Sequence, residues 1–108
     1  MKGMTIAEKI LSAHCAKAVY ADDICFCTID KMMAHDANGP MAVRAFESMG
    51  GKTVCDPQKV FFIMDHACPA PYERVANLQK MLRDFAHKQN ITFYEGGEGV
   101  CHQLMIEK

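Results

Sequence analysis

The five residues from Val60 to Met64 constrain the fold of this chain more than any other segment. They are Val-Phe-Phe-Ile-Met, so an extended conformation would place apolar side chains on both of its faces. Such a run is typical of a strand covered on both sides, as in a parallel sheet with helices packed against it. Because 108 residues are enough for one hydrophobic core, we predict a single α/β domain or fragment over 1–108.

Three other stretches have the features of helices. Residues 72–89 place apolar side chains on one face and polar side chains on the other, which predicts a long amphipathic helix. Thr5 and Glu8 match a capping box, in which a hydroxyl and a carboxylate accept from the free amides of a first turn, so a helix is predicted over 5–17. The segment Asn38-Gly39-Pro40 predicts the start of another helix, which ends before Gly50-Gly51.

Two short apolar segments complete the pattern. Residues 24–29 lie between acidic residues and residues 91–94 follow the long helix, and both are predicted to be strands. The order strand, helix, strand, helix, strand is typical of crossover connections between parallel strands. The predicted fold class is therefore α/β, with a three-layer arrangement of a parallel sheet and its crossover helices.

The charge balance argues against two classes of partner. Lys and Arg number 12 and Asp and Glu number 13, so no basic surface is expected that would attract nucleic acid or an anionic membrane. No apolar run approaches the roughly 20 residues that a membrane span needs, and the first residues lack the pattern of a secretion signal. We expect a soluble, cytoplasmic protein.

Six cysteines are an unusual number for a chain of this length. In the expected intracellular setting they are predicted to be reduced thiols rather than disulfides. The closest pair is Cys25 and Cys27, which would lie on the same face of a strand and could contact one metal ion. Two ligands do not make a metal site, so both are predicted to be small buried hydrophobic residues, and no metal ligand is assigned.

Candidate functional residues follow the predicted strands. In open α/β sheets, ligands bind beyond the carboxyl ends of the strands. His35 and Asp36 come after the first predicted strand, Asp65 and His66 directly after the second, and His102 after the third. We therefore expect three imidazoles and two carboxylates at one edge of the sheet. An adjacent Asp-His pair suits general-acid chemistry, because the carboxylate stabilises the protonated imidazole.

Each of these residues also has a purely structural interpretation. Asp65 could cap a turn while His66 bonds a backbone carbonyl, and His102 could pack beneath the glycine-rich loop that precedes it. Asp36 could begin the turn that leads to the next helix. The remaining histidines are predicted to be surface or packing residues of helices: His14 and His87.

Four motifs in this chain occur in the same order in the aconitase family, which the chain resembles over essentially its whole length. They are Gly3 to Leu11, His35-Asp36 with Gly39 to Ala42, Asp65-His66 with Pro69 to Pro71, and Gly97 to Gln103. The resemblance implies an iron-sulfur hydro-lyase that removes and re-adds water across a 2-hydroxy acid. The expected substrate is 3-isopropylmalate, an intermediate of leucine biosynthesis, and the alternative is an acid of the aconitase or homoaconitase type.

The resemblance also implies roles for individual residues. It implies that His66 protonates the departing hydroxyl, that Asp65 is its carboxylate partner, and that His102 lies in an active-site Gly-x-x-His-Gln segment. His35 and Asp36 are expected near the substrate. In the family, the one iron of a [4Fe-4S] cluster that no thiolate binds acts as a Lewis acid on the substrate.

The main departure from the family pattern is length, since the large subunits of the family are several times longer. The chain is expected to be the N-terminal region of such a subunit, inactive alone, with the cluster ligands absent from it. A small subunit that carries the catalytic serine base and the remainder of the large subunit are the expected partners. Two rival interpretations are a non-catalytic module that binds a carboxylate or a protein partner, and a small metal-thiol protein using Cys25, Cys27 and nearby histidines.

Overall fold

The computed structural model describes residues 2–108, which form two compact units, 2–30 and 31–108. The first unit contains helix α1 (Ile6–Ala13). Its N-terminus has the predicted capping box: Thr5 Oγ1 accepts from the Glu8 amide at 3.2 Å, and the Glu8 carboxylate accepts from the Thr5 amide at 2.8 Å. The predicted helix is confirmed, but it ends at Ala13 rather than at residue 17.

The remainder of the first unit folds back along α1. Ser12 Oγ accepts from the Val19 amide at 2.8 Å, and the Glu8 carboxylate accepts from the Ala21 amide at 2.9 Å. The strand predicted over 24–29 is wrong, because these residues pair with no strand among the described residues. Ile24 is 86% exposed and Phe26 94% exposed, so a short apolar segment between acidic residues did not form a strand where no partner backbone was available.

The second unit is built on a three-stranded parallel sheet of β1 (Met32–His35), β2 (Val60–Ile63) and β3 (Thr92–Tyr94), in the order β1-β2-β3. Met32 pairs with Val60 and Phe61 pairs with Thr92. The strands predicted over 60–64 and 91–94 are confirmed to within one residue. Strand β1 was missed because Met-Met-Ala-His has no β-branched or large aromatic residue that would favour a strand.

Three α-helices belong to the second unit: α2 (Gly39–Ser48), α3 (Glu73–Gln89) and α4 (Cys101–Glu107). A short 3-10 helix, Pro57–Lys59, precedes β2. Helices α2 and α3 confirm the predictions, and α3 ends at Asn90 in the left-handed conformation, with φ of 58°. Asn38 occupies the N-cap position of α2, but its side chain makes no cap bond and accepts instead from the His35 amide at 2.9 Å. Sequence analysis did not predict α4, which has only seven residues.

The sheet separates two apolar clusters. Phe62 packs with Val43 of α2 and Leu82 of α3, whereas the next residue, Ile63, packs with Cys101 and Leu104 of α4. Because successive strand residues point to opposite faces, α2 and α3 cover one face of β2 and α4 covers the other. The α/β fold with a parallel sheet is thus confirmed, and its layers explain why β2 is apolar on both faces. Among residues 2–108, no helix has the length and apolar content needed to span a bilayer.

Candidate active site at the carboxyl edge of the sheet

The centre of the candidate site is a hydrogen-bonded pair at the end of β2. His66 Nδ1 lies 2.5 Å from Asp65 Oδ1. The carboxylate therefore contacts the imidazole at Nδ1, and the other ring nitrogen, Nε2, points away from the carboxylate. The Asp65 side chain is only 4% exposed, whereas that of His66 is 45% exposed. A buried anion therefore holds an imidazole that remains accessible to a ligand.

Asp65 is fixed by a second contact from another part of the chain. Its Oδ2 accepts from the backbone amide of Cys101, at the start of α4, at 2.6 Å. Burial alone would raise the pKa of Asp65, but the hydrogen bonds from the Cys101 amide and the His66 ring outweigh it and lower the pKa. Asp65 is thus an anion near neutral pH, and each of its carboxylate oxygens accepts a hydrogen bond.

The same pair changes the protonation of His66. The hydrogen bond to Asp65 raises the pKa of His66; partial desolvation opposes that effect, and the charges of Asp65 and Asp36 add to it. Nδ1 is 3.9 Å from Asp36 Oδ1, so a second carboxylate lies beside the ring. The arrangement stabilises an imidazolium with its Nε2–H directed away from both carboxylates.

Asp36 organises the loop after β2. Its buried carboxylate accepts from the His66 amide at 3.0 Å and from the Ala67 amide at 2.8 Å. Gln79 Nε2, on α3, donates to Asp36 Oδ2 at 3.2 Å and to the Ala67 carbonyl at 2.8 Å. Asp36 therefore does more than begin the turn before α2. Its contacts join the loop after β1, the loop after β2 and helix α3.

His35 completes the cluster through its ring. The imidazoles of His35 and His66 are stacked, with centroids 3.7 Å apart and planes 15° from parallel. His35 Nδ1 accepts from the Ala37 amide at 3.1 Å, so this nitrogen carries no proton and Nε2 is the protonated atom. The tautomer follows from this hydrogen bond, and it makes Nε2–H the donor of the His35 ring, which is stacked on the His66 ring.

The structure brings most of the predicted site residues together at the carboxyl edge of the sheet. The structure brings together His35, Asp36, Asp65 and His66, as expected from the ends of neighbouring parallel strands. His102 has an exposed side chain in the first turn of α4, directly after Cys101, whose amide binds Asp65. The backbone of that turn therefore reaches the Asp65-His66 pair, and a catalytic role for the His102 ring stays a prediction.

Two sets of side chains bring possible metal-ligand atoms within 4.8 Å of one another: His35, Asp36 and His66, and Asp65, His66 and Cys101. Hydrogen bonds and ring stacking already account for the short distances within these sets. The Cys101 thiol is fully buried, and burial together with the Asp65 carboxylate raises its pKa. A thiol in that environment stays protonated and is a poor metal ligand.

Sequence reasoning missed two contributors to this site, Gln79 and the Cys101 amide. Gln79 had a detectable signal, because it lies three residues before Leu82 and seven before Ala86, on the apolar face of α3. A polar residue on a buried face needs a hydrogen-bond partner. The Cys101 amide had no such signal, since its position depends on how the glycine-rich loop turns.

That loop depends on glycine at two positions. Gly97 has φ of 90° and Gly99 φ of 148°, values that other residues rarely adopt. A Cβ on Gly99 would also lie 2.9 Å from Leu104 Cγ. The chain after β3 can therefore turn tightly enough to bring the start of α4 to Asp65.

Comparison with known protein families finds one that matches nearly the whole chain. The family model described as aconitase family (aconitate hydratase) matches residues 8–108. The chain belongs to the aconitase family. The match includes every residue of the candidate site, so the Asp65-His66 pair and its supports lie within the aconitase-family region.

Several curated relatives share this region of the aconitase family. The 3-isopropylmalate dehydratase large subunit of Methanoregula boonei is 43% identical over 106 residues, which cover 98% of this chain and 26% of the relative. The 3-isopropylmalate dehydratase large subunit 1 of Thermotoga maritima is 39% identical over a region that covers 98% of this chain and 25% of the relative. The 3-isopropylmalate dehydratase large subunit 1 of Methanopyrus kandleri is 43% identical over a region that covers 98% of this chain and 26% of the relative. The chain spans about a quarter of the length of these relatives.

Proposed function

We propose that this chain provides the proton-donating part of an aconitase-family hydro-lyase that dehydrates and rehydrates a 2-hydroxy acid. The substrate proposed is 3-isopropylmalate, since the relatives at 36–43% identity carry the name 3-isopropylmalate dehydratase large subunit. The activity belongs to the whole enzyme, of which this chain corresponds to about a quarter.

The observation that carries the proposal is the 2.5 Å contact between the buried Asp65 carboxylate and His66 Nδ1. Elimination of water from an alcohol requires that the departing oxygen receive a proton, because hydroxide is a poor leaving group. An imidazolium whose Nε2–H faces solvent can donate that proton, and a carboxylate on Nδ1 stabilises the ring while it is charged. In the hydration direction the neutral ring accepts the proton back.

Asp65 and Asp36 act on different parts of this step. Asp65 is bonded to the reacting ring, so it sets the protonation state and orientation of His66. Asp36 accepts from the His66 and Ala67 amides, so it positions the backbone that carries the ring. Although the sequence resemblance placed Asp36 at the substrate, its oxygens are occupied by protein donors, and we assign it a positioning role.

His35 supplies a second donor to the substrate. Its Nε2–H belongs to a ring that is stacked on the His66 ring, so the two imidazoles lie next to each other. Two N–H donors, one of them on the ring whose protonation Asp65 favours, suit a substrate that carries carboxylates next to its hydroxyl group. We assign His35 to substrate binding and His102, from the adjoining turn of α4, to the same pocket.

The site residues do not fit a [4Fe-4S] cluster as ligands. Such clusters are held by several cysteine thiolates, whereas this site contains one thiol, that of Cys101, which is buried and has a raised pKa. The cluster expected for the family is therefore assigned to other residues of the whole enzyme. A small subunit and the rest of the large subunit are the proposed partners, and the cytoplasm is the proposed location.

The decisive experiment is His66→Ala in the complete enzyme that contains this chain. Loss of a general acid is expected to lower kcat by about two to four orders of magnitude. Formation of the unsaturated acid from 3-isopropylmalate, followed by its ultraviolet absorbance, gives the rate. His87→Ala is the matched control, because His87 is an exposed histidine of α3.

The control is expected to keep its kcat. An unchanged kcat in His66→Ala would refute the acid role, and binding of the acid without turnover in the unaltered enzyme would favour a carboxylate-binding module instead.

A further inference from the structure

A buried glutamine of α3, Gln79, joins two loops of the candidate site that are far apart in the chain. Its Nε2 donates to Asp36 Oδ2, in the loop after β1, at 3.2 Å and to the Ala67 carbonyl, in the loop after β2, at 2.8 Å. The residue is only 7% exposed. Because both N–H groups of its amide have acceptors, Gln79 can be buried without an unsatisfied donor.

The carboxylate that Gln79 contacts lies beside the reacting ring. Asp36 Oδ1 is 3.9 Å from His66 Nδ1, and the Asp36 side chain is fully buried. Three protein donors surround this carboxylate: the His66 amide, the Ala67 amide and Gln79 Nε2. Two of them are backbone amides, and Gln79 is a side chain. A substitution at Gln79 can therefore alter the surroundings of Asp36 while both backbone amides remain.

The neutrality of the Gln79 amide matters as much as its position. Lys or Arg in its place would pair with Asp36 and oppose a positive charge on the nearby His66 ring. The amide stabilises the Asp36 anion without adding such a charge. The titratable groups beside the His66 ring are the following: His35, Asp36, Asp65 and Cys101. Two of these are carboxylates, and a neutral donor leaves their negative charge free to favour the imidazolium.

We propose that Gln79 is a positioning residue for the general acid: it fixes the Asp36 carboxylate and the Ala67 peptide group, and through them the His66 ring. The inference rests on the proposed function for its catalytic consequence, whereas the effect on His66 is a property of this chain. Helix α3 is a firm support, because Leu82, three residues further along, is fully buried in the core against Phe62 of β2. Gln79 thus links the acid to the packed core.

Gln79→Met tests the proposal, since methionine has a similar length and cannot donate a hydrogen bond. Gln89→Met is the matched control, because Gln89 also lies on α3 and joins two loop groups, accepting from the Val54 amide at 3.0 Å and donating to the Lys52 carbonyl at 2.8 Å. Both variants should lower the melting temperature. Gln79→Met alone should lower the pKa of His66, read by NMR from its ring protons, toward the ordinary value of about 6.5.

The reason for this difference is that an apolar side chain beside Asp36 stabilises its anion less and lets the carboxylate move from the ring. In the complete enzyme, Gln79→Met should lower kcat by up to about 100-fold, the cost of misplacing a reacting group by roughly 1 Å. The alkaline limb of its kcat profile should move to lower pH. Gln89→Met should leave both kcat and that limb unchanged.

A measurement on the unaltered chain decides the matter if Gln79→Met does not fold. The side-chain amide protons of Gln79 should exchange slowly with solvent, and their chemical shifts should follow the titration of the His66 ring, whereas those of Gln89 should not follow it. An unchanged His66 pKa in Gln79→Met, an equal change in Gln89→Met, or Gln79 amide signals that ignore the titration would overturn the proposal. An unchanged kcat in His66→Ala would refute the acid role without altering these NMR results, so the two proposals fail separately.

Discussion

The imidazole of His35 stacks on that of His66, with ring centroids 3.7 Å apart. Two imidazolium rings in that position would repel each other, and the hydrogen bonds around the two rings differ. The Ala37 amide donates to His35 Nδ1, whereas Asp65 binds His66 Nδ1 and favours protonation of the His66 ring. The neighbouring rings are thereby suited to different tasks, substrate binding for His35 and proton donation for His66.

Asp65→Asn is expected to lower the pKa of His66 toward the ordinary value of about 6.5, because the neutral amide no longer stabilises the charged ring. The pKa is read from the pH dependence of the His66 ring protons by NMR. Asp84→Asn is the control, since Asp84 is exposed and pairs with Lys80. An unchanged His66 pKa in Asp65→Asn would show that the ring owes its protonation to other groups.

The pH dependence of stability should carry the signature of the same pair. Because the folded-state pKa of His66 is raised, its contribution is fully present below about pH 6.5, the unfolded value, and is lost as the pH rises through the folded value. Because the pKa of Asp65 is lowered, its contribution is present above about pH 3.9 and is lost as the pH falls through the folded value. The pair therefore stabilises the fold most between these limits.

Urea unfolding at a series of pH values measures this effect. The free energy of unfolding of the unaltered chain minus that of His66→Gln should shrink as the pH rises above about 6.5. His14→Gln is a necessary comparison, because contacts with the Ile10 carbonyl and Asp30 also raise the pKa of His14. A difference for His66→Gln that stays constant from acid to alkaline pH would contradict the linkage.

Asp36→Ala should destabilise the fold by about 1–3 kcal/mol, because the His66 and Ala67 amides would lose their buried acceptor. Urea denaturation measures the change in the free energy of unfolding. Asp84→Ala, on the exposed face of α3, should change it by no more than about 0.5 kcal/mol. If the two variants were equally stable, Asp36 would not be the organiser of the loop after β2.

Gly99→Ala should destabilise the chain by about 1–3 kcal/mol, because an alanine would be strained at a φ of 148° and its Cβ would approach Leu104. Movement of the loop that relieves this strain should also loosen the hydrogen bond from the Cys101 amide to Asp65. The pKa of His66 is therefore expected to change as well. Gly3→Ala is the matched control, since its Cβ would meet no atom within 4 Å. Thermal unfolding and NMR titration of both variants test the effect, and equal melting temperatures would contradict it.

The sequence by itself determined most of the regular structure. The capping box at Thr5 and the amphipathic pattern of Glu73–Gln89 are local in sequence, and the apolar run at Val60–Ile63 indicates burial on both faces; all three elements are present. It also indicated the edge of the sheet where functional residues gather, because parallel strands end at a common edge. The resemblance to the aconitase family was equally available from the sequence, since ordered motifs carry it.

Tertiary structure decided the rest. Residues 24–29 are short and apolar like a strand but pair with no strand within residues 2–108, whereas Met32–His35 lacks strand-favouring residues and becomes β1 because β2 pairs with it. The contacts of Asp65 with Cys101 and of Asp36 with Gln79 join residues far apart in the chain. Such contacts follow from how loops close and helices pack, and no local pattern of residues encodes them.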